Sequence, residues 1–346
     1  MKRKDARNPE TLDTKVLLPK KAAFKLFSAV LSDLDVCALD SDLHAAIRGG
    51  NVEKLLKCVS RYDARSIIGR LGSHVSNVSS FGKLYQVGAL IKKFPFKGQD
   101  TFTPALEKFL QCEEKCRLYN TQNFRALVKL SASHPKYYGL LKELREEIHG
   151  LIGDAPDLNS VYANGKHGPG MTAGGQMKDG RVTEFFKYTT LPYTVTKSAK
   201  PHAIACIESD PRWIGGLIDL YRTQNDIQQW ETINMDEFWS YVLREIDASE
   251  LTSVPKTALI DRFIAMEATM NVYLQLGVDY VLRGMLKEWG YDLNSQELNQ
   301  LLAEEGSISD DLATLDLVGA SDTVALMIVF LLFPPEWVAL FLELRM

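Results

Sequence analysis

The amino-acid sequence predicts an α+β protein, and three observations carry that prediction. Apolar residues recur with a helical period in the first 150 residues. Two segments, 181–196 and 259–266, are rich in β-branched or aromatic residues, as strands are. Residues 312–317 then alternate before a Gly-Ala-Ser turn and a ten-residue apolar run, Val324–Phe333, which reads as strand, turn and helix.

At 346 residues the chain has room for a large core and two or three subdomains. Its 46% hydrophobic and 24% charged content are those of an ordinary globular protein. The basic start, "MKRKDARNPETLDTK", lacks the apolar centre of a signal peptide. A membrane span needs about 20 apolar residues, and the longest run here ends at Pro334-Pro335, so no membrane partner is expected. Five scattered cysteines, an odd number, make no disulfide framework, and Cys112 and Cys116 have no second pair with which to hold zinc; a reducing cytoplasm fits. The net charge of -4 excludes an all-over basic binder of nucleic acid, but the charge is uneven. Residues 1–30 hold eight Lys or Arg against three acids, 165–200 hold six against two, and 286–316 hold eight acids against one Lys. Local basic surfaces beside an acidic segment suit a polyanion and a divalent cation together; solvated faces without function are the plainer alternative.

Along the chain, "KYYGLLKELREEIHGLI" (136–152) is the clearest helix, with Leu140, Leu141, Leu144, Ile148, Leu151 and Ile152 marking one face. "GDAPDLNS" (153–160) is a break. Residues 164–180 hold six glycines and read as loop; its backbone N–H groups could cradle phosphate, but the Gly-Lys-Ser/Thr ending of a P-loop is missing and a structural turn is favoured. His167 in that loop reads as a hydrogen-bonding loop residue. "RVTEFFKYTTLPYTVT" (181–196) follows as strand, interrupted by Pro192. Residues 259–266 read as a strand carrying Arg262, and 268–289 as a long helix ended by Gly290. A polar helix and turn at 292–307 lead into the 310–337 segment.

Four side chains in the carboxy-terminal third of the chain invite chemistry. If 312–317 is a strand, Ala313, Leu315 and Leu317 share its buried face while Leu312, Thr314 and Asp316 share the other. A carboxylate in a strand needs a partner, which here is either a metal ion or a hydrogen-bond donor in the turn. Asp322 falls in the first turn of the next helix, behind a Ser321 cap, where it would complement the helix dipole or serve a ligand. Lys256 and Arg262 flank a bend and could grip a triphosphate, Arg as a fork and Lys as a point charge, or could pair with Asp261 or Glu267.

Taken in order, "VPKTALIDRFIAME" (254–267), "DLNSQELNQLLAEEGS" (292–307) and "LATLDLVGASD" (312–322), with "HGPGMT" (167–172) as a weaker companion, resemble the replicase beta subunits of positive-strand RNA bacteriophages, the leviviruses, which are RNA-directed RNA polymerases. The resemblance implies a right-hand polymerase fold: a helical region over 1–155, a fingers-like region over 156–305, and the start of a palm, its first strand and helix, over 306–346. It implies nucleotidyl transfer with two magnesium ions, for which Asp316 matches the metal-binding carboxylate and the Leu317 carbonyl supplies a further oxygen. Lys256 and Arg262 match the basic residues that meet the incoming triphosphate, and Asp322 the position that helps read the ribose 2'-hydroxyl. It also implies RNA template, nascent RNA, nucleoside triphosphates and host translation factors as partners, in the cytoplasm of a bacterial host. A non-catalytic RNA-binding module and a host-factor scaffold are the alternatives.

The sequence departs from that pattern at three places. Leu259 stands where the family carries a further basic residue, and Ala268 where Pro is common. No Gly-Asp-Asp occurs, and "SDD" at 309–311 reads as solvated turn because it precedes the Asp316 segment. The expectation is therefore an amino-terminal part of a longer replicase, inactive alone, whose last helix, "PPEWVALFLELRM", exposes an apolar face.

Overall fold

The computed structural model describes residues 20–33, 41–60, 67, 78–94, 96, 98–121, 124–174, 184–309, 311–313, 315 and 317–345. In chain order the helices are α1 (Lys20–Asp33), α2 (Ser41–Arg48), α3 (Val52–Ser60), α4 (Val78–Lys92), α5 (Phe102–Asn120), α6 (Phe124–Ser133), α7 (Pro135–Ile152), α8 (Leu158–Ala163) and α9 (Glu184–Thr189). Strand β1 (Tyr193–Val195) is followed by α10 (Lys200–Ser209), α11 (Pro211–Gln224) and α12 (Met235–Val242), then β2 (Leu243–Glu245), β3 (Glu250–Pro255) and β4 (Asp261–Met266). The last helices are α13 (Thr269–Glu288), α14 (Glu297–Ser309), α15 (Leu326–Leu332) and α16 (Pro335–Leu344). The described chain is thus mostly helical, with two sheets of two strands each.

The chain folds as two compact units. The first gathers the described residues up to Phe109 with Ser253–Ile264. Its core is aromatic and aliphatic: Phe24, Phe27 and Leu31 of α1, Leu43 and Ile47 of α2, Leu55 and Val59 of α3, and Leu84 and Ile91 of α4 are all buried. Phe27 meets Phe94 edge to face at 5.0 Å, an arrangement that suits the ring quadrupoles. The β3–β4 pair, joined by only five residues and so antiparallel, is tied into this unit by its backbone. Ala258 N donates to Lys92 O at 2.6 Å and Asp261 N to Thr101 O at 2.9 Å. Phe263 packs on Phe102 and Phe109, with ring centroids 5.2 and 5.6 Å apart.

The second unit holds Leu110–Thr252 and the chain from Ala265 onward, built around α13. Its sequence period and stop are as expected: the helix ends at Glu288, and Gly290, at φ 94°, donates to Lys287 O in the left-handed turn that glycine tolerates best. Helix α8 lies hard against α13, because Gly277 has no side chain and an added Cβ would overlap the Val161 carbonyl oxygen. Strands β1 and β2 pair in parallel, Tyr193 opposite Leu243 and Val195 opposite Glu245. Buried polar groups join β1 to α13: Thr194 Oγ1 donates to Ala173 O at 2.7 Å and accepts from Thr269 N at 2.9 Å. Asn271, with no exposed surface, accepts from Thr196 N at 2.9 Å and donates to Thr196 Oγ1 at 2.8 Å and Leu344 O at 2.9 Å.

Four sequence expectations are corrected here. Residues 184–189 form α9 instead of strand, since Lys187 turns inward to meet the carbonyls of Gly168 and Gly170 and tertiary contacts override local preference. The described residues of 312–317 are not strand: no partner strand flanks them, and the expected buried face is open, with Leu315 86% and Leu317 74% exposed. The apolar face of α16 is covered within the unit, Trp337, Val338, Leu340 and Leu344 all being buried. On α7, by contrast, only the carboxy-terminal part of the predicted stripe is used: Ile152 is buried, whereas Leu140 and Leu144 are exposed.

The close approach of α8 and α13 predicts opposite outcomes for two glycines of one helix. Gly277→Ala should destabilise the chain by about 2 to 3 kcal/mol through overpacking, whereas Gly284→Ala, with open space around it, should stabilise by about 0.5 to 1 kcal/mol. Urea unfolding of both variants checks this, and equal effects would refute the packing account.

Candidate functional site

Lys256 and Arg262 sit on the β3–β4 hairpin of the first unit. Pro255 ends β3, and the connection is held by Thr257, whose Oγ1 accepts from Leu259 N and Ile260 N at 3.2 Å each while its N–H donates to Ile260 O at 3.0 Å. Because side chains alternate along a strand, docking Phe263 on α5 turns Arg262 and Ile264 the other way. Both cations are exposed, and neither pairs with Asp261 or Glu267 among the described residues. The Glu267 carboxylate instead accepts from Gln275 Nε2. The salt-bridge alternative for these cations is therefore not what the structure adopts. Beside them, Leu259 is 39% exposed and leaves that position of the hairpin apolar.

Leu317 and Asp322 belong to the second unit, and Asp316 lies outside the described residues. Leu317 is open to solvent. Gly319, at φ 68°, starts the turn, and Thr323 Oγ1 donates back to Gly319 O at 2.8 Å. Asp322 lies in a three-residue 3-10 turn, Ser321–Thr323, separated from α15 by extended Val324 and Ala325. Ser321 therefore does not cap a helix, as expected from sequence; its hydroxyl donates to Asp322 Oδ1 at 3.3 Å. Nor does Asp322 sit on an α-helix N-terminus, which removes the dipole as its explanation. Its backbone carbonyl accepts from Cys116 Sγ at 3.5 Å, and its carboxylate is exposed.

Among the described residues no three His, Cys, Asp or Glu side chains converge into a metal site. The donors described near this turn are the Leu317 carbonyl and the Asp322 carboxylate, fewer than the six oxygens magnesium prefers. They are too few for a two-ion centre, and Asp316 lies outside the described residues.

The glycine-rich loop offers a different arrangement. Lys187, buried at 8% exposure, donates through Nζ to Gly168 O and Gly170 O, so the loop turns carbonyls toward a cation at these positions, where a phosphate cradle would need N–H groups. Ala173 N is likewise taken, donating to Glu267 O at 2.8 Å. His167 is 4% exposed and stands edge to face with Tyr188 and Tyr273, with centroids 4.5 and 4.9 Å away. Neither ring nitrogen has a hydrogen-bond partner, so the expectation of a hydrogen-bonding loop histidine is corrected. Burial first, and then the Lys187 charge, push its pKa down to about 4. Sequence reasoning named His167 but missed its aromatic enclosure, because Tyr188 and Tyr273 lie 21 and 106 positions away in the chain.

The chain matches the family described as RNA replicase, beta-chain, over residues 46–346. It belongs to that family. Among individual replicases, it is 33% identical over 272 residues to the RNA-directed RNA polymerase subunit beta of Enterobacteria phage SP, an alignment covering 78% of this chain and 42% of that protein. It is 32% identical over 248 residues to the protein of the same name from Escherichia virus Qbeta, covering 72% of this chain and 37% of the relative. Against the RNA-directed RNA polymerase beta chain of Escherichia phage MS2 the identity is 44% over 97 residues, 28% of this chain and 18% of the other. The chain thus spans about two fifths of the length of the first two replicases it matches. In this chain, no described helix is long and apolar enough to cross a membrane.

The buried imidazole makes a pH prediction for this chain. The folded pKa lies near 4, below the usual 6.5, so the unfolded chain takes up the proton first and stability falls as pH drops from about 6.5 to 4. The loss should approach but not exceed about 3 kcal/mol. His167→Phe, which suits the aromatic surroundings, should flatten that part of the stability-against-pH curve measured by urea unfolding, and an unchanged slope between pH 6.5 and 4 would refute the assignment.

Proposed function

We propose that this chain takes part in template-directed RNA synthesis, as a section of an RNA-directed RNA polymerase acting on a phage RNA genome. The observation that carries this reading is the β3–β4 hairpin: in a member of the replicase family, two exposed cations, without a carboxylate partner among the described residues, are held outward on a backbone that hydrogen bonds to Lys92 and Thr101 and an aromatic contact with α5 hold in place. Such cations suit the triphosphate of an incoming nucleotide, Arg262 offering a planar fork and Lys256 a compact point charge. RNA template, nascent RNA and nucleoside triphosphates are the ligands of this reading, and the bacterial host cytoplasm is its setting.

In polymerase terms, residues 1–155 are the helical amino-terminal region, 156–305 the fingers-like region and 306–346 the start of the palm of a right-hand fold. Asp316 and the Leu317 carbonyl are proposed as this chain's share of a two-magnesium donor set. When bound, such ions would polarise the phosphate and the attacking hydroxyl. Asp322, exposed and accepting from Ser321, is proposed to accept a hydrogen bond from the ribose 2'-hydroxyl, directly or through a neighbour.

The test is steady-state incorporation by a polymerase-competent protein that contains this chain. Asp316→Ala should abolish synthesis while circular dichroism and melting stay unchanged; substantial incorporation at saturating magnesium would sink the assignment. Lys256→Ala and Arg262→Ala should each raise the nucleotide concentration for half-maximal rate by roughly 10-fold to 100-fold, the equivalent of a lost charge-assisted contact. Normal nucleotide dependence together with weakened, salt-sensitive RNA binding would favour a plain RNA-binding module instead.

A further inference from the structure

The turn around Asp322 closes on itself, but nothing within it sets where it stands in the unit. No side chain of its own caps α15: the N-cap position is Ala325, which has no acceptor. Within the turn, Thr323 Oγ1 donates to Gly319 O at 2.8 Å and Ser321 Oγ to Asp322 Oδ1 at 3.3 Å, but neither bond ties the turn to another element, and no strand pairs with the described residues before it. Something else must set where Asp322 stands.

Helix α15 packs on α7 and α16, and the turn before it is held by α5, some two hundred positions earlier in the chain. Cys112, Cys116 and Asn120 are spaced four apart and therefore line one face of the helix. Each meets the segment at a different point. An added Cβ on Gly319 would lie 3.4 Å from Cys112 Sγ, so the turn begins in contact with that sulfur. Cys116 Sγ donates to Asp322 O at 3.5 Å. Asn120 Oδ1 accepts from Met327 N at 2.9 Å, which places its oxygen on an otherwise orphaned N–H in the first turn of α15, the role of a cap that Ala325 cannot fill. All of these residues lie in the second unit. Burial, and then the neighbouring Glu113, Cys112 and Asp322, push the Cys116 thiol up, which keeps it a donor.

We infer that Cys112, Cys116 and Asn120 form a three-point positioning rail that fixes the Gly319–Met327 segment and with it the direction of Asp322. The three contacts follow the order of the segment: contact with Gly319, a hydrogen bond at Asp322, and a cap at Met327. A helix is a rigid ruler with a rise of about 1.5 Å per residue, so the rail sets the spacing as well as the attachment. The consequence for function rests on the reading of Asp322 as a sugar-recognising group. These are positioning residues, acting through Asp322 and not on the nucleotide.

The docking itself is tested on the full chain without any activity. Iodoacetamide labelling with peptide mapping reports the access of each cysteine. Asn120→Ala should raise the labelling rate of Cys116 by about 10-fold, the effect expected when a cap is lost and the segment lifts. Cys58, in the other unit, serves as the internal reference and should not change. Asn120→Asp keeps the acceptor oxygen and should label like the parent. An unchanged Cys116 rate in Asn120→Ala, or an equal rise in Asn120→Asp, overturns the rail.

A second arm separates this inference from the reading it rests on. In a polymerase-competent protein, Asp322→Ala should narrow the preference for ribo- over deoxyribonucleotides. Asn120→Ala should narrow it in the same direction with the Asn120→Asp variant restoring it, whereas simple loss of stability would lower both rates together. If Asp322→Ala narrows the preference and Asn120→Ala does not, the rail has no role in selectivity and the inference fails alone. If Asp322→Ala leaves the ratio unchanged, the sugar-reading role fails, and the labelling arm still decides whether the rail exists.

Discussion

The second unit depends on one buried carboxamide. Asn271 has no exposed surface, and it joins three parts of the chain: the helix α13 that carries it, the end of β1 at Thr196, and the end of α16 at Leu344. Removing a carboxamide from water is costly unless its partners are all present, so it specifies one arrangement of these elements and penalises others. Gln275, one turn along α13, repeats the grip on Leu344 O at 2.9 Å. Thr194 and Thr269 extend the network toward Ala173 and so tie the glycine-rich loop to the same centre.

That loop is shaped by exclusion as much as by bonding. Gly165 faces the ring of Tyr273, and any side chain there would overlap it, just as Gly277 clears the way for α8. Once the loop lies flat on α13, His167 is enclosed by Tyr188 and Tyr273, and Lys187 is the donor that satisfies the turned-in carbonyls. An ammonium there is buried but well supplied with oxygens, while the imidazole beside it stays neutral because burial and that positive charge both disfavour its protonation.

The elements written in local pattern were legible. The long helix α13 with its glycine stop, strand β4, and a helix starting at Pro335 all follow from period, stop residue and β-branched content. What local pattern did not reveal is what depends on distant partners. Residues 312–317 alternate correctly for a strand, but alternation specifies a face only where a neighbouring strand supplies the hydrogen bonds. Phe185, Phe186 and Tyr188 carry strand propensity, yet the segment is helical because Lys187 is drawn inward to carbonyls some 17 to 19 positions earlier. For the candidate site, motif order singled out Lys256, Arg262 and Asp322, which the structure leaves exposed, so their proposed places were visible in the sequence. The support from α5 was not, since nothing in the sequence around Cys112 or Asn120 points two hundred positions ahead.

Three cations of the chain differ in what holds them. Pairing two exposed charges gains about 0 to 1 kcal/mol, so leaving Lys256 and Arg262 without a carboxylate costs the fold almost nothing. Leaving the buried Lys187 without its oxygens would cost far more, and it has them. Stability therefore accounts for Lys187 and does not account for the two hairpin cations. Their surroundings are nonetheless ordered: Phe263 is docked, the Thr257 hydroxyl closes the bend, and the backbone is bonded to Lys92 and Thr101. A rigid mount under unpaired, exposed charge lowers the entropy lost when an anion is gripped, and it does so without using up the charge beforehand.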